Sequence, residues 1–175
     1  MLAYMKNIKL LQRTIEVLMN LEFIDGHGKQ LILFDMDGVV AEYVAGEEQL
    51  IVDEAPGIYL RKRPLKSIIA IAEELNKHNN ISVGILSSCE YHSQIPEKQE
   101  WLRKYMPFLD ESNIHIIAWC DGKYTRETRM FAKLDVIKAI NGYDKIFLIE
   151  DKHDIIKATN KSMSGVAHHI SELVD

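Results

Sequence analysis

Short apolar runs alternate along the chain with longer stretches in which apolar residues recur every three or four positions. Leu31-Ile32-Leu33-Phe34, Ile81–Leu86, Ile114–Trp119 and Lys145–Ile149 have the length and apolarity of strands covered on both faces. Between them, Pro64 opens a helix reaching about His78, a second helix runs from about Pro96 to Tyr105, a third from about Arg129 to Ile140, and a last begins near His153. This β–α alternation predicts an α/β fold: a doubly wound, Rossmann-like parallel sheet with helices on both faces. Upstream, Ile8, Leu11, Ile15, Leu18 and Met19 share one helical face and predict an amphipathic helix over residues 2–22, ended by Gly26 and Gly28. Residues 39–63 are less regular, broken by Gly46, Pro56 and Gly57, with a short extended segment expected near Leu50-Ile51-Val52.

Composition sharpens this picture without changing it. At 175 residues and 47% hydrophobic content the chain can bury a full core, and no linker-like stretch divides it. A single domain over 1–175 is expected, with 1–28 as an N-terminal helical extension and 41–63 as a small insert. The net charge of −5 gives no reason to expect binding to a nucleic-acid polymer. Cys89 and Cys120 lack C-x-x-C spacing and read as reduced thiols of a cytoplasmic protein. No apolar run approaches the roughly 18–20 residues of a membrane span, and the N-terminus lacks a signal-peptide core. Oligomeric state is not legible.

The chemistry is expected where the first strand ends. Asp35 and Asp37 flank Met36 directly after the buried run, and open α/β sheets bind ligands at the carboxyl ends of their strands. Gly38 lets the chain turn away. Two carboxylates this close repel each other unless a cation or a tight hydrogen-bond set offsets them, and Mg²⁺, which takes carboxylate, carbonyl and water oxygens, suits the pair. Against this stands the plainer possibility that D-x-D-G is a polar turn.

DMDGV after an apolar strand resembles motif I, D-x-D-G-[TV], of the haloacid dehalogenase-like phosphatases. The resemblance implies Asp35 as a nucleophile that accepts the phosphoryl group and Asp37 as the general acid and base. It implies motif II at Ser87, with Ser88 beside it, after Ile85-Leu86. It implies motif IV in Glu150-Asp151, where the family usually begins the acidic pair with Asp; which of the two touches the ion stays open, and either Asp151 or Asp154 could instead cap the next helix. The metal set would be Asp35, Asp37, Glu150 and Asp151. For the motif III lysine, Lys133 in AKLDVIKAI is favoured over Lys123 in DGKYTRE.

Finer likeness points to one branch. DMDGVVAEY, PGIYLRKRP and Lys98-Gln99-Glu100-Trp101-Leu102 resemble segments of 5′(3′)-deoxyribonucleotidases, in which the region between motifs I and II forms a cap. Here that cap is small. Gly38, Ser88, Tyr59 and Arg61 are candidate substrate contacts; Tyr59 is equally a packing residue, and Arg61-Lys62-Arg63 equally a solvated entry to the next helix. Trp101 and Trp119 read as packing residues, and His168-His169 as surface or satisfied polar groups. The expected activity is Mg²⁺-dependent hydrolysis of a small-molecule phosphate monoester, in particular a nucleoside monophosphate. The alternatives are a sugar phosphate or other small metabolite as substrate, or a non-catalytic binding protein that keeps the fold.

Overall fold

The segment Gln30–Phe34 forms a strand, β1, of which every residue is buried, and its neighbours on both sides explain why. A computed structural model describes residues 27–46, 48–53, 55–119, 123–125 and 128–173; the helix expected over 2–22 and Cys120 lie outside them. Among the described residues the chain continues through α1 (Glu48–Val52), α2 (Lys66–Leu75), β2 (Ile81–Cys89), α3 (Ile95–Tyr105), β3 (Ile114–Ala118), α4 (Arg129–Ala139), β4 (Lys145–Glu150), α5 (His153–Ser162) and β5 (Ala167–His169). The five strands form one sheet in the order β3-β2-β1-β4-β5, every pairing parallel, so the predicted doubly wound α/β fold is borne out.

Alternation along β1 sorts the core into two layers. Ile32 and Phe34 face a cluster with Ile68, Ile71 and Leu75 of α2 and Trp101 and Leu102 of α3. Leu31 and Leu33 belong to the layer with Ile137 of α4, Ile155 of α5 and Leu148 of β4. Burying each such side chain contributes roughly 1.5–3 kcal/mol, which makes β1 the best-anchored element of the sheet. The chain adds β2 and β3 on one side of β1, then returns to add β4 and β5 on the other. The order therefore reverses between β1 and β4, and the crevice at their carboxyl ends is where ligands bind in such sheets.

Three elements differ from the sequence reading. Leu50-Ile51-Val52, expected as extended, lies in helix α1: the Asp53 N–H donates to the Gln49 carbonyl and the Ala55 N–H to that of Leu50, and the segment has no strand to pair with. β2 runs on through Ser87, Ser88 and Cys89 because β3 offers Ile116, Ile117 and Ala118 as ladder partners. α2 starts at Lys66, since Pro64 bridges Ala41 and the Leu65 N–H donates to Val40. That bridge, with the Glu42 N–H donating to Arg63, closes a neck at the base of the insert.

Close packing of strands is tightest at Gly84, where an added Cβ would lie 3.0 Å from Leu33 Cδ2 and closer still to the Asn113 carbonyl. Backbone cannot yield as a flexible side chain can, so Gly84→Ala should destabilise the protein by about 1–3 kcal/mol, measured as a lowered midpoint of thermal or urea unfolding.

Candidate active site

Each strand flanking the crevice brings a polar residue to its carboxyl end. Asp35 follows β1 directly, held by its N–H donating to the Ile149 carbonyl. Glu150 is the last residue of β4 and Asp151 the next, while Ser87 is buried near the end of β2. Asp35 is 4% exposed and Glu150 0%, so neither charge is hydrated and each must be met by the protein.

Lys133 of α4 meets both. Its Nζ lies 2.9 Å from Asp35 Oδ1 and 2.6 Å from Glu150 Oε2, and the residue is 1% exposed. Burial disfavours the Lys133 charge, but Asp35 and Glu150 outweigh it and raise the ammonium's pKa. Burial likewise opposes ionisation of Asp35, yet Lys133 and then Lys98 hold its carboxyl below the usual range. Glu150 goes the other way: burial and the adjacent Asp35 charge push it up to about 8 against the pull of Lys133. Its Oε1 accepts from the Asp151 and Lys152 N–H groups. Lys123, the alternative lysine, pairs at the surface with Asp135 at 3.2 Å.

Asp37 is held separately. The turn after Met36 carries its carboxyl to Lys98 of α3, whose Nζ donates to Oδ2 at 2.5 Å, to Ser87 Oγ at 2.9 Å and to the Ser88 carbonyl at 3.0 Å. An ammonium can only donate, so Ser87 acts as acceptor there and keeps its own proton for another partner. The other Asp37 oxygen lies 3.3 Å from Lys62 Nζ. Tyr59 is 2% exposed, its ring centroid 4.5 Å from Lys98 Nζ; burial, then the Asp37 charge, raises the phenol's pKa and keeps it neutral.

The acidic group that could hold a metal comprises Asp35, Glu150 and Asp151, each offering an oxygen within 4.8 Å of the others. The donor set is all carboxylate, which suits a hard divalent ion, and Asp151 Oδ1 is buried without a hydrogen-bond partner. Gly38 makes room for this: its φ is +86°, and an added Cβ would lie 2.7 Å from Asp151 Cγ. The structure thus gathers Asp35, Lys133, Glu150 and Asp151, with Gly38 against Asp151, and joins Ser87 to Asp37 through Lys98. Asp37, expected among the ion's ligands, turns its carboxyl to the two lysines instead.

The remaining candidates separate. Ser88 contributes its carbonyl, Tyr59 packs beneath Lys98, and Arg61 is exposed on the insert. Trp101 is buried and its indole N–H donates to the Lys62 carbonyl at 2.8 Å. His168 meets Glu172 and His169 meets Ser171, each at 2.8 Å. Two functional groups escaped the sequence reading. Lys98 was noticed only as part of a segment likeness, and Lys62 only as one member of a basic run. A signal existed for Lys98: Gln94, Glu97, Lys98 and Trp101 fall on one helical face, and a charge in phase with a core tryptophan calls for a buried partner.

No known protein-family profile matches the chain. Over 88 residues it is 27% identical to a protein of Vibrio phage KVP40 named as a putative 5′(3′)-deoxyribonucleotidase; the match covers 45% of this chain and 52% of that protein, about half its length. In fold it is similar to a chain in the structure of the Pnkp1/Rnl/Hen1 RNA repair complex, with a TM-score of 0.61 and 14% identity over 81% of this chain and 42% of that one. A weaker likeness, TM-score 0.48 at 15% identity over 81% of this chain and 84% of the other, is to the HAD domain of effector protein Lem4 from Legionella pneumophila. A parallel sheet of this order with paired carboxylates at its switch point gives the chain its resemblance to the haloacid dehalogenase-like proteins. In sequence it is similar, over those 88 residues, to a protein named as a 5′(3′)-deoxyribonucleotidase.

The raised Glu150 carboxyl sets a direction for stability without metal. An unfolded glutamate releases its proton near about 4.3, whereas folded Glu150 keeps its proton up to about 8, so between these values the folded state binds more protons. Its contribution is complete below the lower value and is lost as pH rises through the upper. In chelator, the melting temperature should fall from about pH 5 to 8, and Glu150→Gln, which mimics the protonated form, should flatten the fall.

Proposed function

We propose that the protein is a Mg²⁺-dependent phosphatase acting on a small phosphate monoester through an aspartyl-phosphate on Asp35, with a nucleoside monophosphate as the favoured substrate. The observation that carries this reading is the division of labour between the two aspartates: Asp35 lies among Lys133, Glu150 and Asp151, while Asp37 is held apart by Lys98 and Lys62. A nucleophile and a proton donor need such separate surroundings.

In this mechanism an Asp35 oxygen attacks phosphorus, the bond from phosphorus to the ester oxygen breaks, and Asp37 gives its proton to the departing alcohol. Water then attacks the acyl-phosphate with Asp37 taking its proton, which restores Asp35 and releases phosphate. Lys133 and the Ser87 hydroxyl stabilise the negative charge on the phosphoryl oxygens. Asp35, Glu150 and Asp151 would hold the ion, which when bound offsets the charge of nucleophile and phosphate.

The nucleotide preference draws on the name of the phage relative and on the motif I and α3 segments. The insert, residues 41–63, stands as the candidate cap, and the chain as a single domain. Cytoplasmic location remains an expectation of cysteine usage; among the described residues no helix is long and apolar enough to cross a membrane.

Purified protein with Mg²⁺ should hydrolyse 4-nitrophenyl phosphate. Chelator should stop it, and Asp35→Asn should lower kcat by at least about a thousandfold, because an amide cannot form the acyl-phosphate. Retained turnover in Asp35→Asn, or full activity in chelator, would refute the mechanism. A kcat/KM no greater for nucleoside monophosphates than for sugar phosphates would remove the nucleotide preference.

A further inference from the structure

α3 and the residue just before it, Gln94, hold the insert at successive points of one face. Gln94 Nε2 donates to the Ile51 carbonyl at 2.8 Å, the Glu97 carboxylate accepts from the Gly57 and Tyr59 N–H groups at 2.5 and 3.2 Å, and the Trp101 indole N–H donates to the Lys62 carbonyl at 2.8 Å. These contacts fix the backbone at Ile51, Gly57, Tyr59 and Lys62 to the core, and the last of these is a lysine whose side chain is only 2% exposed. Burying an ammonium is costly unless a specific anion meets it. Here the anion is Asp37, with the Glu42 carbonyl as a further acceptor at 3.5 Å.

We propose that Lys62 is a positioning residue for Asp37, delivered by an insert that α3 clamps in place. This rests on the phosphatase reading given above. A carboxyl group turns easily about its last side-chain bond, whose torsional wells are broad. Lys98 engages one oxygen and Lys62 the other, so together they fix that rotation; Lys98 alone leaves the carboxyl free to turn about a single contact. The orientation matters when the bond from phosphorus to the ester oxygen breaks. The electron pair then goes to the leaving oxygen, which takes the Asp37 proton, and the carboxylate left behind meets two ammonium groups.

The leaving group separates positioning from packing. A primary alkyl phosphate needs its leaving oxygen protonated, whereas 4-nitrophenolate departs with little help, and kcat/KM covers only the steps through phosphoryl transfer. With Mg²⁺ present, Lys62→Met should lower kcat/KM about tenfold or more for a primary alkyl phosphate, a fraction of the ~10²–10⁴ that general acid catalysis supplies, and no more than about threefold for 4-nitrophenyl phosphate. Lys62→Arg, which keeps the charge, should recover part of the alkyl rate. In an Asp37→Asn background Lys62→Met should cost nothing further, because the group it positions can no longer act. Lys62→Gln, one bond shorter but neutral and with an N–H donor, carries the same ester comparison if the methionine variant fails to fold; its selective loss should be of the same sign. Equal losses on both esters, or a full additional loss in the double variant, would overturn the positioning role while leaving the phosphatase reading intact. A wild-type protein that turns over neither ester would bring down both.

Discussion

Everything at the crevice follows from the cost of placing carboxylates at the end of a strand that is sealed on both faces. β1 cannot yield, since its side chains fill both layers of the core, so Asp35 arrives at a fixed point with almost no access to water. The surrounding structure answers with lysines carried on long arms from elements outside the sheet: Lys133 from α4, Lys98 from α3 and Lys62 from the insert. Lysine suits this because its ammonium makes three donations in freely chosen directions, and Lys98 uses all three on Asp37, Ser87 and the Ser88 carbonyl. The Asp151 oxygen buried without a hydrogen-bond partner, beside the carboxyl oxygens of Asp35 and Glu150, is the physical case for a divalent cation.

The parts of this arrangement that lie on strands were readable from sequence, and those that depend on packing angle were not. Asp35, Ser87 and Glu150 follow apolar runs, and because side chains alternate along a strand, the run's end places each of them. Lys133 was reachable through its helix and its distance from the acidic pair. Asp37 was found as a residue but its surroundings were not, since the turn after Met36 decides where its carboxyl goes, and residues far along the chain occupy that space. Choosing Arg61 over Lys62 shows the same limit. In an irregular segment no periodicity tells which of three adjacent cations turns inward; the Trp101 indole bonded to the Lys62 carbonyl does. The extended segment expected at Leu50-Ile51-Val52 failed for a related reason. β-branched residues favour a strand only when a neighbouring strand supplies the ladder, and the described residues of the insert offer none.

α3 joins these two kinds of information. Its sequence reads as an ordinary amphipathic helix from Pro96 onward, yet the face toward the site carries Glu97 and Lys98 beside Trp101, with Gln94 just before its first turn. A wholly apolar face would pack the sheet as well. The polar groups are explained by what they hold: backbone groups of an insert too short to build a core of its own, whose N–H and C=O groups need partners wherever they are buried. The insert closes at its neck through Ala41 and Pro64 and along its length through α3, so it is tied at both places where a hinged cap would have to part. Opening would break the hydrogen bonds that Gln94 and Trp101 donate and Glu97 accepts, and strip Asp37 of one of its two cations. The contacts that hold the insert against α3 also place Lys62 against Asp37, so the position of the insert and the surroundings of Asp37 are set by the same interactions.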